Sequence, residues 1–200
     1  MTPYDYIKLK IIKGEYKPGD IFNELEVAKS LNTSRTPIRE AILRLKEEGY
    51  LTIIPRKGTI ISNISIQDVK DTYELRMILE PNIAKIACKK MNKESAFYLK
   101  NKVEEALKGK EYLIENDFDE EFHNLISESL SNSLINKEIK HLMDLTSRIR
   151  FITSLESFSR YQESLKEHLK IINSIIEGNE LEAYKNMEEH LKNSLNAYKL

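Results

Sequence analysis

The sequence predicts a mainly α-helical protein, in which three short helices and a β-hairpin are followed by an all-α antiparallel bundle of helices. Two observations lead to this fold class. Apolar residues recur at helical spacing through most of the 200 residues. Strand-like runs occur only at residues 51–54 and 59–62, with a Pro-Arg-Lys-Gly turn between them. We therefore expect two domains, residues 1–64 and 65–200.

The three N-terminal helices are delimited by caps and helix breakers. The first is predicted over residues 4–13. The second covers residues 24–31, with Asn23 as its N-cap. The third begins after Ser34, whose hydroxyl is expected to accept a backbone N–H of the first turn, and it ends at Gly49.

The third predicted helix has one apolar and one polar face. Its apolar stripe is formed by Ile38, Ala41, Ile42 and Leu45. Arg35, Thr36 and Arg39 cluster at its N-terminal end, away from this stripe. The turn at residues 55–58 adds two cations. A helix with Arg and Thr at its tip, followed by a basic hairpin, suits contact with the major groove and the phosphate backbone of DNA.

The charge distribution agrees with a nucleic-acid reader at the N-terminus. The whole chain has a net charge of −1. Residues 1–66 carry 11 basic and 8 acidic side chains, whereas the remainder carries 20 and 24. The basic excess therefore lies in the segment with the helix and the hairpin.

Cysteine content and hydropathy indicate the compartment. A single cysteine excludes an intramolecular disulfide and fits a reducing cytoplasm. The N-terminus lacks the apolar core of a signal peptide. No run approaches the roughly 18 apolar residues that a membrane span needs. The sequence therefore predicts a cytoplasmic protein without a membrane segment.

Helical patterns continue after the hairpin. Ser65 and Asp68 are spaced as in a capping box, and no Gly/Ser/Pro-rich linker precedes them, so we expect the two domains to touch. Six helices are predicted in this part, over residues 69–90, 94–115, 118–130, 134–155, 161–177 and 181–198.

A carboxylate and three imidazoles form a candidate metal site. Asp119 and His123 share a helix face at i, i+4, while His168 and His190 lie on the core faces of the last two helices. Such ligands suit a divalent ion such as Zn²⁺, Ni²⁺, Mn²⁺ or Fe²⁺. Without a Cys ligand, a closed structural zinc site is less expected. The alternative is that each histidine is a hydrogen-bonded core residue.

The N-terminal segment resembles the GntR family of bacterial transcription regulators. The matching motifs are Gly14, Pro18-Gly19-Asp20, the run from Ser34 to Ala41, Leu45, Glu48-Gly49 and the turn from Pro55 to Gly58. The resemblance implies a winged helix-turn-helix. It also implies six DNA-contacting residues: Arg35, Thr36 and Arg39 on the recognition helix, and Arg56, Lys57 and Gly58 in the wing.

The C-terminal segment is similar to the FCD effector domain of the FadR-like branch of that family. The motifs that carry the similarity are Asp119-x-x-x-His123 followed by His168 and His190, Glu74-Leu75-Arg76, Leu79-Glu80-Pro81 and Asn132. The similarity implies metal binding by the Asp and the three His residues, with small organic acids as effectors. Six helices favour the shorter, VanR-like variant.

Three arginines are candidate partners for an anionic effector. Arg76, Arg148 and Arg150 are proposed because a guanidinium can bind a carboxylate through two hydrogen bonds. The alternative for each is a surface or interdomain salt bridge.

These observations together predict a homodimeric transcription regulator. A dimer would present two recognition helices to a pseudo-palindromic operator, and an effector at the metal would change operator affinity. One alternative is a regulator that senses the metal itself. The other is a metal-dependent enzyme, which lacks an evident general base: Glu167 and Glu189 precede ligands, but adjacent helical residues point about 100° apart.

Overall fold

The computed structural model describes residues 1–109, 118–153 and 158–198, with only the backbone at residue 153. The chain groups into two compact units. The first consists of Met1–Ser65 together with Ser147–Ile152, and the second of Ile66–Thr146 and Thr153–Leu200. Residues 147–152 were not expected in the first unit. The domain limits 1–64 and 65–200 remain a prediction.

The first unit has the predicted order of three helices and a hairpin. These elements are α1 (Pro3–Ile12), α2 (Glu24–Ser30), α3 (Arg35–Glu47), β1 (Leu51–Ile54) and β2 (Gly58–Ile61). The strands pair antiparallel, with Leu51 opposite Ile61. An isolated bridge joins Ile21 to Ile60, so the segment before α2 also pairs with β2. The sequence pattern did not predict this bridge.

Helix α3 forms the centre of the first unit. It packs against α1, α2 and β1. Its predicted apolar stripe is confirmed, because all four side chains are buried: Ile38, Ala41, Ile42 and Leu45. Burial of this one face fixes the rotation of the helix and leaves its N-terminal polar residues in solvent.

The predicted caps of α2 and α3 have different outcomes. The prediction for Asn23 is confirmed, since its side chain accepts from the backbone N–H groups of Leu25 and Glu26 at 3.1 and 3.3 Å. Ser34 occupies the N-cap position, but its hydroxyl accepts no capping hydrogen bond, so that prediction is wrong. Pro37 stands at the third helical position and lacks the N–H that a capping side chain commonly binds.

The helices of the second unit follow the predicted order. They are α4 (Ile66–Lys90), α5 (Lys93–Lys108), α6 (Asp119–Glu128), α7 (Ser133–Thr153), α8 (Phe158–Ile176) and α9 (Glu180–Asn196). The described part of this region thus contains the six helices expected. The predicted helix ends at Glu115 and Leu155 lie outside the described residues. No helix described is long and apolar enough to cross a membrane.

The core of the second unit is built around α4, α8 and α9. Helix α9 packs against α4 and α8, and α8 also packs against α5. Cys88 of α4 is half-buried at the edge of this core, with Sγ 3.6 Å from the carbonyl of Ala84 and 3.8 Å from that of Ser174 in α8. Burial raises the pKa of the Cys88 thiol. These packed helices place the polar residues of α6, α8 and α9 inside the unit.

Candidate metal centre and DNA-binding surface

The four predicted metal ligands come together inside the second unit. Asp119, His123, His168 and His190 each offer one ligand atom, and these atoms all lie within 4.8 Å of one another. The three histidines are at most 2% exposed. They are supplied by α6, α8 and α9, whose apolar faces turn these positions into the core.

The donor set and its dimensions fit a divalent metal ion. Metal–ligand distances of about 2.0–2.1 Å put opposite ligand atoms at most about 4.2 Å apart, so small inward movements of side chains would complete the site. Within the described part of the chain, neither ring nitrogen of His168 has a hydrogen-bond partner, although both are buried. Buried polar atoms without a hydrogen-bond partner destabilise the folded state unless a further group binds them.

Asp119 lies between two of the imidazoles. Its Oδ1 is 3.5 Å from Nε2 of His123 and 3.3 Å from Nε2 of His168. The ring of Phe122 stacks on His168, with centroids 4.1 Å apart and an interplanar angle of 20°. Burial and the neighbouring His190 lower the pKa of His168 to about 3. That imidazole is therefore neutral at physiological pH, as a metal ligand must be.

Glu167 contacts the cluster, contrary to the sequence prediction. Nδ1 of His190 lies 2.8 Å from Oε2 of Glu167. Adjacent residues on one helix point about 100° apart, but this contact crosses from α8 to α9. Burial raises the pKa of Glu167, but hydrogen bonds from His190 and Arg160 outweigh it and lower that pKa to about 2.

Arg76 lies beside the same cluster. Its Nε is 2.6 Å from Oε1 of Glu80, and its Nη2 is 3.3 Å from Nε2 of His123. Oε2 of Glu80 is 2.5 Å from Nδ1 of His123. Burial raises the pKa of Glu80, but the charges of Arg76 and His123 lower it to about 2. Burial lowers the pKa of His123, while Glu80 and Asp119 raise it to a net value above the ordinary one.

Arg148 has its described contacts in the first unit. It donates from Nη2 to the carbonyl of Ser62, and its guanidinium carbon lies 5.6 Å from the ring centroid of Tyr50. The four-ligand cluster belongs to the second unit. The effector role of Arg148 remains a prediction.

The predicted DNA-reading residues of α3 are exposed. Arg35, Thr36 and Arg39 lie at the N-terminal end of the helix. Nε of Arg39 is 3.3 Å from Oε2 of Glu24 on α2, in a solvent-exposed pair. An exposed pair of this kind is worth little, so Arg39 can exchange it for a partner on DNA.

The predicted wing is an exposed tight turn between β1 and β2. The N–H of Lys57 donates to the carbonyl of Ile54 at 3.1 Å, which closes the turn. Arg56 and Gly58 adopt positive φ values of 66° and 104°. Residues of the hairpin, α2 and the tip of α3 line one concave surface, with Arg35 and Arg56 among them. Three of the six predicted DNA-contacting residues, Arg35, Arg56 and Gly58, line this surface.

Sequence reasoning missed Glu80 and Glu167 as partners of the cluster. Glu80 follows Arg76 by four residues on one helix, so the spacing could have predicted their ion pair. Glu167 and His190 are 23 residues apart on different helices, and no local pattern predicts their contact.

Two family matches cover most of the chain. Residues 71–193 match the FCD domain. Residues 3–61 match the family described as bacterial regulatory proteins, gntR family. The two segments coincide with the candidate metal centre and with the candidate DNA-binding surface.

Curated relatives are named as transcription regulators. The Nta operon transcriptional regulator of Aminobacter aminovorans is 32% identical over 169 residues, covering 78% of this chain and 73% of that protein. The HTH-type transcriptional repressor RspR of Escherichia coli K12 is 25% identical over 192 residues, covering 94% and 84%. These names indicate a regulator rather than an enzyme.

Solved structures have a similar fold. Escherichia coli McbR/YncC superposes with a TM-score of 0.81 at 16% identity, covering 98% of this chain and 95% of that chain. The metal-free FCD domain of TM0439 gives a TM-score of 0.57 at 26% identity, covering 68% and 95%. The chain therefore belongs to the GntR family of bacterial transcription regulators, with a DNA-binding helix-turn-helix domain followed by an FCD domain.

Proposed function

We propose that this regulator acts as a homodimer on a pseudo-palindromic DNA operator, and that a small organic acid controls its operator affinity. The acid would bind at a divalent metal ion held by Asp119, His123, His168 and His190. The observation that carries the proposal is the convergence of these four ligands next to the buried guanidinium of Arg76.

The four residues would hold Zn²⁺, Ni²⁺, Mn²⁺ or Fe²⁺. The donor set of three imidazoles and one carboxylate is accepted by all of these ions. When bound, the metal supplies a positive charge and positions that four protein ligands do not fill in a six-coordinate ion. A carboxylate is the natural partner for such positions, which favours an organic acid over a neutral ligand.

Arg76 supports the same class of effector. Its Nη2 is within hydrogen-bond distance of Nε2 of His123, the atom that also faces Asp119. A metal on that nitrogen would take up its lone pair, and the N–H of Arg76 would then be available to another acceptor. A carboxylate bound at the metal would provide one.

The first experiment is a thermal-shift screen with monocarboxylates, dicarboxylates and sugar acids. It uses Zn²⁺-loaded full-length protein, the His190→Ala variant and the matched control His141→Ala, whose histidine lies outside the cluster. An acid that binds the folded state raises the unfolding midpoint by mass action. We expect a shift in the wild type and in His141→Ala that is absent from His190→Ala.

The second experiment tests operator control. Full-length protein is used to select binding sites from random DNA, and the selected site is expected to be an inverted repeat bound by two chains. Adding the acid found in the screen should change the affinity for that site. Equal affinity with and without the acid would contradict the proposal. If Zn²⁺ alone changes the affinity, the regulator senses the metal instead.

The metal-dependent enzyme is the weaker alternative. Glu167 is the candidate general base beside the four-ligand cluster, but His190, Arg160 and Asn193 all donate to its carboxylate. A carboxylate with these donors and a pKa of about 2 is a poor base.

A further inference from the structure

Three side chains fix the carboxylate of Glu167. Arg160 donates to its two oxygens at 3.0 and 2.9 Å. Asn193 donates to Oε1 at 2.8 Å. The remaining contact is with Nδ1 of His190, 2.8 Å from Oε2. The carboxylate is therefore held on α8 with one oxygen directed at a candidate metal ligand on α9.

These contacts determine which nitrogen of His190 carries the hydrogen. A guanidinium and an amide NH₂ can only donate, and an ionised carboxylate can only accept. The nitrogen of His190 that faces Glu167 must then be Nδ1–H. In the neutral ring this leaves the lone pair on Nε2, which is the atom available to a metal.

Glu80 lies beside His123 in an ion-pair contact, without the hydrogen-bond alignment that Glu167 has with His190. Oε2 of Glu80 lies 2.5 Å from Nδ1 of His123, and Arg76 holds the carboxylate through Nε at 2.6 Å and Nη2 at 3.4 Å. Nη2 of Arg76 also lies 3.3 Å from Nε2 of His123. Since Arg76 can only donate, Nε2 is again the nitrogen with the lone pair.

We propose that Glu167 and Glu80 are positioning residues of the candidate metal centre. They fix the tautomers and the ring orientations of His190 and His123, so that both rings present Nε2 to the metal. Two arginines, Arg160 and Arg76, hold the carboxylates in place. The inference rests on the proposed metal binding, and it assigns to these residues a role that neither the family matches nor the relatives' names describe.

The third imidazole is positioned differently. His168 has no hydrogen-bonded carboxylate at Nδ1 among the described residues, and Phe122 stacks on its ring instead. Loss of a carboxylate at Glu167 or Glu80 is therefore expected to affect one imidazole each and to leave His168 unchanged.

Glu167→Gln is the sharper test, because its carboxylate is 14% exposed and the fully buried Arg76–Glu80 pair stays intact. Long-range ¹H–¹⁵N NMR spectra of the metal-free protein report each histidine tautomer. We expect Nδ1–H at His190 in the wild type, and a new Nε2–H population in the variant, because the Gln amide can donate to Nδ1. Zn²⁺ affinity, measured by competition with a chromogenic chelator, should fall roughly 10- to 100-fold.

Glu163→Gln is the matched control. Glu163 lies one turn earlier on α8 and pairs with the same Arg160 at 3.8 Å, but its side chain is 62% exposed. We expect wild-type tautomers and wild-type Zn²⁺ affinity from this variant. Glu80→Gln repeats the test at His123, and Glu167→Gln decides alone if the Glu80 variant does not fold.

Two results would overturn the inference. One is a Glu167→Gln variant that keeps both the Nδ1–H tautomer and the Zn²⁺ affinity of the wild type, even if its melting temperature falls. The other is a wild-type His190 that carries its hydrogen on Nε2. A wild type that takes up no Zn²⁺ would instead contradict the proposed metal binding, and the spectra of the metal-free protein would still decide the tautomer assignment.

Discussion

At the scale of single residues, Arg56 occupies a backbone conformation that usually selects glycine. Its φ of 66° falls at the third position of the turn closed by Ile54 and Lys57, after Pro55. A type II turn favours Pro and then Gly at these two positions. A non-glycine residue there costs on the order of 1 kcal/mol. The wing therefore carries a cation at a position where folding alone favours glycine.

Replacing Arg56 by glycine should separate folding from DNA binding. We expect the free energy of unfolding of Arg56→Gly to stay within about 1 kcal/mol of the wild type, because relief of strain offsets the greater freedom of the unfolded chain. Operator affinity should fall, and the salt dependence should lose about one counterion if Arg56 contacts a phosphate. Urea denaturation and binding titrations at several salt concentrations measure both quantities.

The control for Arg56 is another exposed cation of the first unit. Lys13, at the end of α1, lies outside the recognition helix and the wing. Lys13→Gln should leave both the affinity and its salt dependence close to wild type. An equal loss in the two variants would point to nonspecific attraction by the whole unit.

Arg76 and Glu80 form an ion pair that is almost completely removed from solvent. Their side chains are 1% and 3% exposed. Deleting Arg76 removes the main charge partner of the buried Glu80 carboxylate and leaves only His123 beside it, so we expect Arg76→Ala to lower the free energy of unfolding by about 3–5 kcal/mol. Urea denaturation of the full-length protein measures this loss. A loss below about 1 kcal/mol would show that water enters the space left by Arg76 and solvates the carboxylate of Glu80 in the variant.

A double variant distinguishes stability from ligand binding. Arg76→Met combined with Glu80→Leu replaces the pair by apolar side chains of similar length. We expect this variant to recover much of the stability lost in Arg76→Ala, because an apolar pair needs no charge compensation. Neither Arg76→Ala nor the double variant should respond in the carboxylate screen, because both lack the guanidinium. A response of the double variant would exclude Arg76 as an effector ligand.

At the scale of elements, the exposed N-terminal end of α3 is the part of the helix that is predicted to recognise the DNA sequence. Arg39→Ala is expected to cost roughly 1–3 kcal/mol of operator affinity if the guanidinium makes a bidentate contact to a base. Glu24→Gln is the matched variant, because it removes the charge that pairs with Arg39 and leaves the sequence of α3 unchanged. It should leave affinity unchanged or raise it. An unchanged affinity for Arg39→Ala at low and high salt would refute the assignment.

The elements that could be predicted are those with local signals. The apolar stripe of α3 and the order of all described helices follow from spacing along one segment. The cap at Asn23 also follows from local chemistry. The missing cap at Ser34 also has a local cause, because Pro37 provides no backbone N–H at the third helical position.

The elements that could not be predicted depend on partners far along the chain. The bridge between Ile21 and Ile60 joins a loop to a strand. The contact of Glu167 with His190 joins two helices. The four-ligand cluster was found only because its members are rare residue types on predicted core faces. Glutamates are too common in helices for their contacts to be found in the same way.

At the scale of the whole molecule, the candidate metal centre links metal binding to stability. A metal that binds only the folded state adds about 2.7 kcal/mol at a free concentration one hundred times its dissociation constant. We therefore expect chelation to lower the melting temperature of the Zn²⁺-loaded protein, and restored Zn²⁺ to reverse this. His190→Ala should melt at the same temperature with and without chelator. Identical melting of loaded and chelated wild type would contradict the assignment.

The grouping of the chain into compact units depends partly on contacts between residues that are distant along the sequence. The change from one compact unit to the other after Ser65 coincides with the end of the hairpin pattern. Residues Ser147–Ile152 also belong to the first unit, although they continue helix α7. The contact of Arg148 with Ser62 spans 86 residues. A helical pattern reports which face is apolar, but it does not report which neighbour covers that face.

Because Cys88 is half-buried, the rate at which a thiol reagent labels it reports on local opening of the second unit. Cys88 is the single thiol of the chain, so a disulfide reagent such as dithionitrobenzoate labels one known site. Its sulfur lies against the carbonyls of Ala84 and Ser174. Burial raises the pKa of the thiol, so little reactive thiolate is present in the packed state. Labelling therefore requires the local packing of α4 and α8 to loosen. The labelling rate thus measures how often this part of the bundle opens, and any ligand that tightens the bundle should slow the reaction without an added fluorophore.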